Sequence, residues 1–342
     1  MKAPVLGPGL FSQIGKLEKR KMKLKKILKR VLLGLVALVI LILAVLHIGV
    51  TVKYWDYFKN ADSVFMIPGL FDNIVPQGFD YIPETDTYLM CGYMSDGTSS
   101  RIYVRFPDGT TRYTSLYHAD GSVYDKHAGG ICHNGDFVYL AGDDGVDVFS
   151  FDQVILGGEA QMLGTIPTGH DMAFCSFHDG LLYAGNFYYP EHYETPDHHR
   201  ITTPAGDQNT SLITVFRADD SFEFGIDPQA VAAISAPDKV QGMTFTEDGI
   251  VLSISWSLTD SNLLFYEEDQ RVGSVEVPTG EVPLYYLDSE NLLHTAVLPP
   301  MSEELVYRDG RVEVMCESAC NKYMFGKLIR GWQVFAYSPD SQ

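Results

Sequence analysis

The chain has 342 residues, enough for one large domain, and a formal net charge of −19 at pH 7. Residues 1–30 hold ten Lys/Arg and one Glu, so the remainder holds 15 basic and 43 acidic residues and carries a net charge of −28. Such an acidic body repels phosphate backbones, so nucleic acid is a poor partner for it.

The next segment, residues 31–50 (VLLGLVALVILILAVLHIGV), contains no charged residue. A bilayer core of about 30 Å is crossed by roughly 20 helical residues. Lys and Arg precede the segment, and the positive-inside rule then predicts a cytoplasmic N-terminus. A cleaved signal peptide is the alternative, but its apolar core would be about 7–15 residues long and would end in small residues. We therefore expect an uncleaved single-pass anchor in the cell membrane.

These features divide the chain into four predicted segments. Residues 1–30 form a basic cytoplasmic N-terminus, and residues 31–50 form the transmembrane helix. Residues 51–62, which include Tyr54 and Tyr57, form a juxtamembrane stalk with an interfacial aromatic belt. Everything from residue 63 to 342 is predicted to lie outside the cytoplasm.

One template recurs five times in this last segment: an apolar strand that opens on a small or polar residue, a polar turn, and a second apolar strand. A repeat of about 40 to 70 residues with several strands per unit is typical of a β-propeller. The sequence thus predicts an all-β fold with five blades, and six blades remain the alternative because a hairpin around 263–283 could hide a degenerate blade. The last repeat lacks an outer strand, which residues 63–69 could supply.

Polar side chains mark the strand ends that face one mouth of such a propeller. The innermost strand of each blade starts at this mouth and the second strand returns to it, so these residues should converge around one pocket. Each also has a local explanation, because such residues commonly cap turns. The predicted ligand-binding residues are Gln77, His127, His170, Asp171, Asn186, Gln241, Trp256, Glu303, Glu317 and Asn321.

A metal ion is one possible occupant of this pocket. Carboxylate and amide oxygens suit calcium, which takes six to eight oxygen ligands, and Asp171 and Glu303 are the candidate ligands. Imidazoles would instead favour a transition metal.

A long insertion at residues 188–210 carries His192, His198 and His199. A flexible surface loop is the favoured interpretation, and a lid or binding loop is the alternative, because long loops often have such roles. The histidines do not follow a regular metal-binding spacing.

The five cysteines suggest core positions more than a disulfide framework. Cys91, Cys132 and Cys175 lie in apolar strands, where a thiol acts as a small core hydrophobe. Cys316 and Cys320 could pair in an oxidising exterior, but closing so short a loop gains little stability. Free thiols are the favoured interpretation.

Familiar catalytic motifs are missing from the sequence. It contains no GxSxG, HExxH, GxGxxG, P-loop, CxxCH or EF-hand pattern. An enzyme would therefore need a metal-centred or dispersed acid–base site, which a sequence reveals poorly.

The repeat starts VPQGFDY, HAGGICH and VQGMTF, and above all the segment PPMSEELVYRDGRVEVMCESACNKY, resemble a group of uncharacterised secreted or membrane-anchored bacterial propeller proteins. The resemblance covers residues 75–337. More distantly, the architecture is similar to gluconolactonase and strictosidine-synthase-like propellers. That similarity implies a calcium ion near the axis, held by Glu303, Asp171 and either Asn186 or Asn321.

Two functions follow as expectations. The first is a membrane-anchored module outside the cytoplasm that binds a small molecule or a component of the cell envelope. The second is a calcium-dependent hydrolase of the lactonase or esterase type, with Asp171 and Glu303 as metal ligands and His127 or His170 as the base.

Overall fold

The protein divides into two compact units, residues 1–50 and 51–342. The computed structural model describes residues 8–268, 271–323, 325–328 and 330–339.

The first unit is dominated by one long helix, Pro8–Lys53, which contains the predicted span 31–50. Within its stretch Leu17–Lys53, one window of 18 residues has a mean hydropathy of 3.2, and none of this window is buried inside the protein. An apolar helix of this length can satisfy its backbone internally within a bilayer. Its length and composition suit either a membrane anchor or a signal sequence.

The second unit begins with residues that were expected to form a stalk. Tyr54 and Tyr57 are only 4% and 3% exposed. Tyr57, in the short helix Trp55–Phe58, stacks on Tyr337 with ring centroids 5.4 Å apart. These two aromatic side chains therefore pack into the β-domain, whereas Trp55 is exposed.

The β-domain is a five-bladed propeller, as the sequence predicts. Blades 1 and 2 are antiparallel four-stranded sheets, and blade 1 gains a short parallel strand at its outer edge. A short helix, Phe151–Leu156, follows the third strand of blade 2. From the axis outward, the strands of blade 1 are Ile74–Ile82, Thr87–Met94, Arg101–Arg105, Thr111–Tyr117 and Gly158–Gln161, and those of blade 2 are Ile131–Asn134, Phe137–Gly142, Gly145–Ser150 and Gly164–Pro167.

Blades 3 and 4 follow the same plan, and blade 3 is widened to six strands. The strands of blade 3 are Phe174–His178, Leu181–Gly185, Ser211–Ala218, Ile226–Ala236, Gly280–Tyr286 and Gly273–Val277, and those of blade 4 are Val240–Thr246, Gly249–Ile254, Ser261–Tyr266 and Leu292–Leu298.

The hairpin of residues 273–286 lies in the region that could have formed a degenerate sixth blade. In sequence it interrupts blade 4, but its Leu284 pairs in parallel with Ala233 at the outer edge of blade 3. It covers an edge that would otherwise be open to pairing with other chains. No sixth blade is present among the described residues.

Blade 5 is closed by a strand from the start of the domain. Its own strands are Ser302–Arg308, Arg311–Cys316 and Gln333–Tyr337, and Ala61–Met66 completes it. Ala61 lies opposite Tyr337 and Met66 opposite Gln333 in this antiparallel pair. The predicted closing segment 63–69 is thus confirmed, although the strand begins two residues earlier.

The axis of the propeller is tightly packed by inner-strand glycines and one carboxylate. A Cβ atom at Gly130 would lie 2.6 Å from the Cys175 nitrogen, so only glycine fits there. Glu304 Oε2 accepts hydrogen bonds from the nitrogens of Phe79 (2.7 Å) and Ile131 (2.8 Å), and Oε1 accepts one from Cys175 (3.3 Å). Glu304 therefore joins the inner strands of blades 1, 2 and 3 to blade 5.

All five cysteines lie in described parts of the chain and are buried and free, as the sequence predicts. Burial raises the pKa of the Cys316 thiol to about 12, so it stays protonated and inert near neutral pH.

Candidate functional site

A cavity of about 940 Å³ opens at one mouth of the propeller and is lined by residues from all five blades. This size is in the range of small-molecule pockets. Nine of the ten predicted ligand-binding residues line it, namely Gln77, His127, His170, Asp171, Asn186, Gln241, Trp256, Glu303 and Glu317.

The antiparallel blade geometry explains this convergence. Inner strands start at the mouth, which places Gln77, Gln241 and Glu303 there, and second strands end at the same mouth. Asn186 and Trp256 follow the ends of two such strands, at Gly185 and Ile254. Residues far apart in the sequence are thereby collected around one axis.

Asn321, the tenth predicted residue, has a different role. Its Nδ2 donates a 2.6 Å hydrogen bond to the carbonyl of Asp72, and its Oδ1 accepts one of 2.6 Å from Lys327 Nζ. Asn321 therefore ties two loops together. Its neighbours Lys322 and Tyr323 line the cavity instead.

Two carboxyl groups form the most unusual feature of the cavity. Glu303 is 1% exposed, and its Oε2 has no hydrogen-bond partner among the described residues. Glu317 Oε2 accepts a 2.8 Å hydrogen bond from Gln77 Nε2. Burial raises the pKa of Glu317 to about 7, and burial together with the Glu317 charge raises the pKa of Glu303 well above its ordinary value. Near neutral pH this pair therefore keeps protons, whereas ordinary carboxyl groups would be ionised.

Three histidines add neutral imidazoles, of which His199 is fully buried, His170 is half-buried and His127 is exposed. His170 and His199 are in edge contact with centroids 4.7 Å apart, and the Asn186 amide nitrogen lies 3.1 Å from His199 Nδ1. Nε2 of both rings lacks a partner in the described part of the chain. Burial lowers the pKa of His170 to about 4 and that of His199 to about 3. These rings are therefore uncharged at neutral pH.

His127, on the side of blade 1, stacks on Tyr93 with centroids 4.9 Å apart. Partial loss of solvation at the cavity, reinforced by the Lys322 charge, lowers its pKa to about 4. It can exchange hydrogen bonds with a ligand but adds no positive charge at neutral pH.

An aromatic wall faces these polar groups. Trp256 stacks on Tyr189 at 4.2 Å and contacts Phe187 at 5.7 Å and Tyr193 at 5.9 Å. Trp256, Phe187 and Tyr193 line the cavity directly. The rings offer a ligand a rigid apolar surface at little cost in side-chain entropy.

The insertion at 188–210 supplies part of this wall. It contains a short 3₁₀ helix, Asp197–His199, and a small hairpin of Ile201–Thr202 with Gln208–Asn209. His192 and Tyr193 from its first half line the cavity. The first half of the insertion therefore borders the cavity, and a binding role for it stays a prediction.

The described residues contain no group of three His, Cys, Asp or Glu side chains arranged to hold a metal ion. Asp171 Oδ1 accepts a 3.1 Å hydrogen bond from the Asp144 nitrogen, which lies in a turn of blade 2. Glu303 is deeply buried and raised in pKa. This donor set does not fit a six- to eight-oxygen calcium shell, and the assignment of Asp171 and Glu303 as ligands stays a prediction.

Several lining residues escaped the sequence analysis. Phe187, Tyr193 and Glu194 could not be placed because the path of the insertion depends on tertiary contacts. Lys322 and Tyr323 did leave a signal, since they end the ESACNKY segment on which the family resemblance depends.

No protein-family model matches the chain, and no curated protein matches it in sequence. Similar solved structures include a luciferin-regenerating enzyme (12% identity, TM-score 0.42, 82% of this chain and 96% of that chain). Others are a protein described as a glucose dehydrogenase from Thermus thermophilus (12%, 0.44, 81% and 98%) and the calcium-binding protein regucalcin from Agrobacterium tumefaciens (7%, 0.36, 77% and 89%). At these identities and TM-scores the likenesses carry no argument about function.

The fold and the site define the class of the protein: a five-bladed β-propeller with a polar, aromatic-walled cavity at one end of its channel. The resemblance to uncharacterised bacterial propeller proteins stays a prediction.

Proposed function

We propose that the protein is a single-pass membrane protein that presents a ligand-binding propeller outside the cytoplasm. The observation that carries the binding role is the 940 Å³ cavity. Two of its lining residues, Glu303 and His170, each hold a buried polar atom that has no partner among the described residues. Buried polar atoms are costly without hydrogen bonds, and a ligand can supply them.

The charge distribution supports the proposed topology. Ten Lys/Arg precede the apolar segment in residues 1–30, which favours a cytoplasmic N-terminus and a membrane span at 31–50. The acidic propeller would then lie on the other side of the membrane, where a small molecule or an envelope component can reach its open mouth.

Protease access to intact cells tests this topology. With an epitope at the C-terminus of the full chain, external protease should remove the epitope while the membrane stays sealed, and the mature protein should retain its N-terminus. An epitope protected until the cells are lysed would overturn the orientation. A shorter mature chain would show a cleaved signal peptide.

Binding is tested with the full-length protein in lipid nanodiscs and a library of cationic, neutral and anionic small molecules. We expect ligands that raise the melting temperature, with the effect lost in Trp256→Ala. Phe71→Ala is the matched control, because Phe71 is 77% exposed and does not line the cavity. Hits that respond equally to both substitutions would place binding elsewhere, and a library without hits would contradict the proposed function.

The carboxyl pair favours hydrolysis as a second candidate function. A buried pair that keeps a proton near pH 7 can provide one general acid and one general base. A screen of lactones and esters, with and without chelator, tests this activity. Turnover that Glu317→Gln abolishes would favour the hydrolase, and turnover lost with chelator would favour its calcium-dependent form. The absence of turnover would leave the binding role.

A further inference from the structure

The charge of the cavity lining limits the ligands that it can accept. Among the described lining residues the only Lys or Arg is Lys322, and its Nζ donates a 2.7 Å hydrogen bond to Tyr93 Oη. The pKa values of His127 and His170 are lowered, so these two rings contribute no charge at neutral pH. An anion would therefore face repulsion. The carboxyl groups that line the cavity are Asp143, Asp171, Glu194, Glu303 and Glu317.

The aromatic wall gives the same cavity a second affinity for positive charge. The face of an aromatic ring attracts a cation, with Trp the strongest, and the attraction grows when water is excluded. Trp256 lines the cavity beside Phe187 and Tyr193 on one side, and Tyr93 and Tyr323 line it near Lys322. Carboxylates and aromatic faces together form the environment that recognises ammonium groups.

Size and hydrogen bonding decide which cation fits. The cavity of about 940 Å³ is far larger than a bare metal ion, and no metal-binding group of three side chains exists among the described residues. Glu303 lines the cavity, is only 1% exposed, and has an Oε2 without a partner in the described part of the chain. An N–H donor would satisfy this oxygen, whereas a quaternary ammonium has no N–H group.

We propose that the cavity binds a protonated organic amine, whose ammonium group donates hydrogen bonds to the Glu303–Glu317 pair while its apolar body packs against Trp256. This inference rests on the proposed ligand-binding function and names the chemical class of the ligand. It is independent of the membrane topology.

Binding of such a cation is coupled to proton release. The Glu317 carboxyl has a pKa of about 7, so the pair is partly protonated near neutral pH, and an ammonium group favours its ionised form. Affinity should therefore rise as the pH rises through about 7. The other titratable groups that act on this pair are Glu304, Lys322, Cys316, Cys320, Tyr93 and Tyr323.

Three probes of similar size test the proposal: phenethylammonium, phenethyl alcohol and phenylacetate. Isothermal titration calorimetry uses the full-length protein in nanodiscs, in buffers of different ionisation enthalpy, at about pH 5.5, about pH 7 and about pH 8. We expect phenethylammonium to bind about tenfold tighter than the alcohol at the higher pH, with release of protons near pH 7. Phenylacetate should bind weakest.

Glu317→Gln should abolish the proton release, and Glu303→Gln should remove the preference for the amine over the alcohol. Glu276→Gln, on the exposed face of the hairpin at blade 3, is the matched control and should behave as wild type. Melting curves show whether each variant is folded, and the carboxyl to amide change is nearly isosteric.

Each outcome bears on a separate claim. Equal or tighter binding of the alcohol or the carboxylate would overturn the amine proposal and leave the ligand-binding function in place. Failure of all three probes to bind would also overturn it. The binding function itself falls only if the wider library yields no hit that depends on Trp256.

Discussion

The two ends of the propeller channel differ in size and in how their buried carboxyls are used. The open mouth holds a cavity of about 940 Å³, whereas the opposite end holds one of about 280 Å³. Glu303 lines the first and Glu304 lines the second. Both side chains are 1% exposed.

The difference between these neighbours is their hydrogen bonding. Glu304 accepts hydrogen bonds from three backbone nitrogens, and at the same end Asp80 Oδ2 lies 2.6 Å from His133 Nδ1. Glu303 Oε2 has no partner within the described residues. A buried polar group that is satisfied stabilises the fold, and one that is left open is available to a ligand. This difference indicates a structural role for the narrow end and supports the proposed binding role of the wide end.

Removing the Glu304 side chain should produce the largest effect. Glu304→Ala leaves the nitrogens of Phe79, Ile131 and Cys175 buried without an acceptor, at about 1–3 kcal/mol each. We expect the free energy of unfolding to fall by about 4 kcal/mol or more. Denaturant unfolding of the full-length protein, followed by fluorescence, measures this loss.

Exposed Glu276→Ala serves as the control for the loss of one carboxyl and should change stability by less than about 0.5 kcal/mol. A Glu304→Ala variant as stable as this control would contradict the structural role of the narrow end.

The pH dependence of stability should separate the carboxyls from the histidines of the wide end. The pKa of Glu317 is about 7 in the folded protein and 4.5 ordinarily, so its contribution to stability is complete below about pH 4.5 and is lost as the pH rises to about 7. His127 and His170 have pKa values lowered from 6.5 to about 4, so their contribution is lost as the pH falls through this window. The two trends oppose each other in the wild type.

Glu317→Gln should remove the Glu317 part of the carboxyl trend and leave the part that comes from Glu303. Between about pH 4 and 6.5 the stability of the variant should therefore rise relative to that of wild type, by at most about 3 kcal/mol. Thermal melts across this pH range measure the difference. Parallel curves for the two proteins would show that the Glu317 carboxyl titrates normally.

The glycine-lined axis gives a third test of the narrow end. Gly130→Ala would place a Cβ atom 2.6 Å from both the Cys175 nitrogen and the Phe174 Cα, and 2.7 Å from Glu304 Oε1. Backbone atoms cannot move aside cheaply, so we expect a loss of about 1–3 kcal/mol in unfolding free energy. Ala substitution at Ser274, which is exposed on the blade 3 hairpin, is the control. An unchanged melting temperature would mean that the blades are less closely packed than the structure shows.

Much of this architecture follows from local sequence signals. Strand alternation and turn residues predicted the five repeats and the closing strand, because each depends on a few neighbouring residues. The antiparallel blade geometry then placed nine of the ten candidate residues at one mouth. The pairing of the 273–286 hairpin with blade 3 could not be predicted, because it joins segments that are distant in the sequence.

The functional contrast between Glu303 and Glu304 could not be predicted from their sequence. The register of blade 5 at the axis decides which of these two adjacent acidic residues faces the wide end. That register shifts between Ser302 and Leu305, where the pairing with the next strand is irregular. The donors that satisfy Glu304 come from three other blades, so no local pattern records them.

Glu303→Gln should cause the smallest change in stability among these variants. It should nevertheless have the largest consequence for binding. The amide keeps the volume of the side chain and removes a buried acid whose pKa is raised by burial and by Glu317, so stability should change by less than about 1 kcal/mol. Affinity for ligands of the cavity should nevertheless fall, because the amide cannot become an anion. Glu304→Gln is the matched variant and should lose stability, since its amide nitrogen cannot accept the Cys175 hydrogen bond. Melting temperature and ligand affinity, measured on both variants, test this contrast directly. If Glu303→Gln is the less stable of the two, the division of the channel into a structural end and a binding end is wrong.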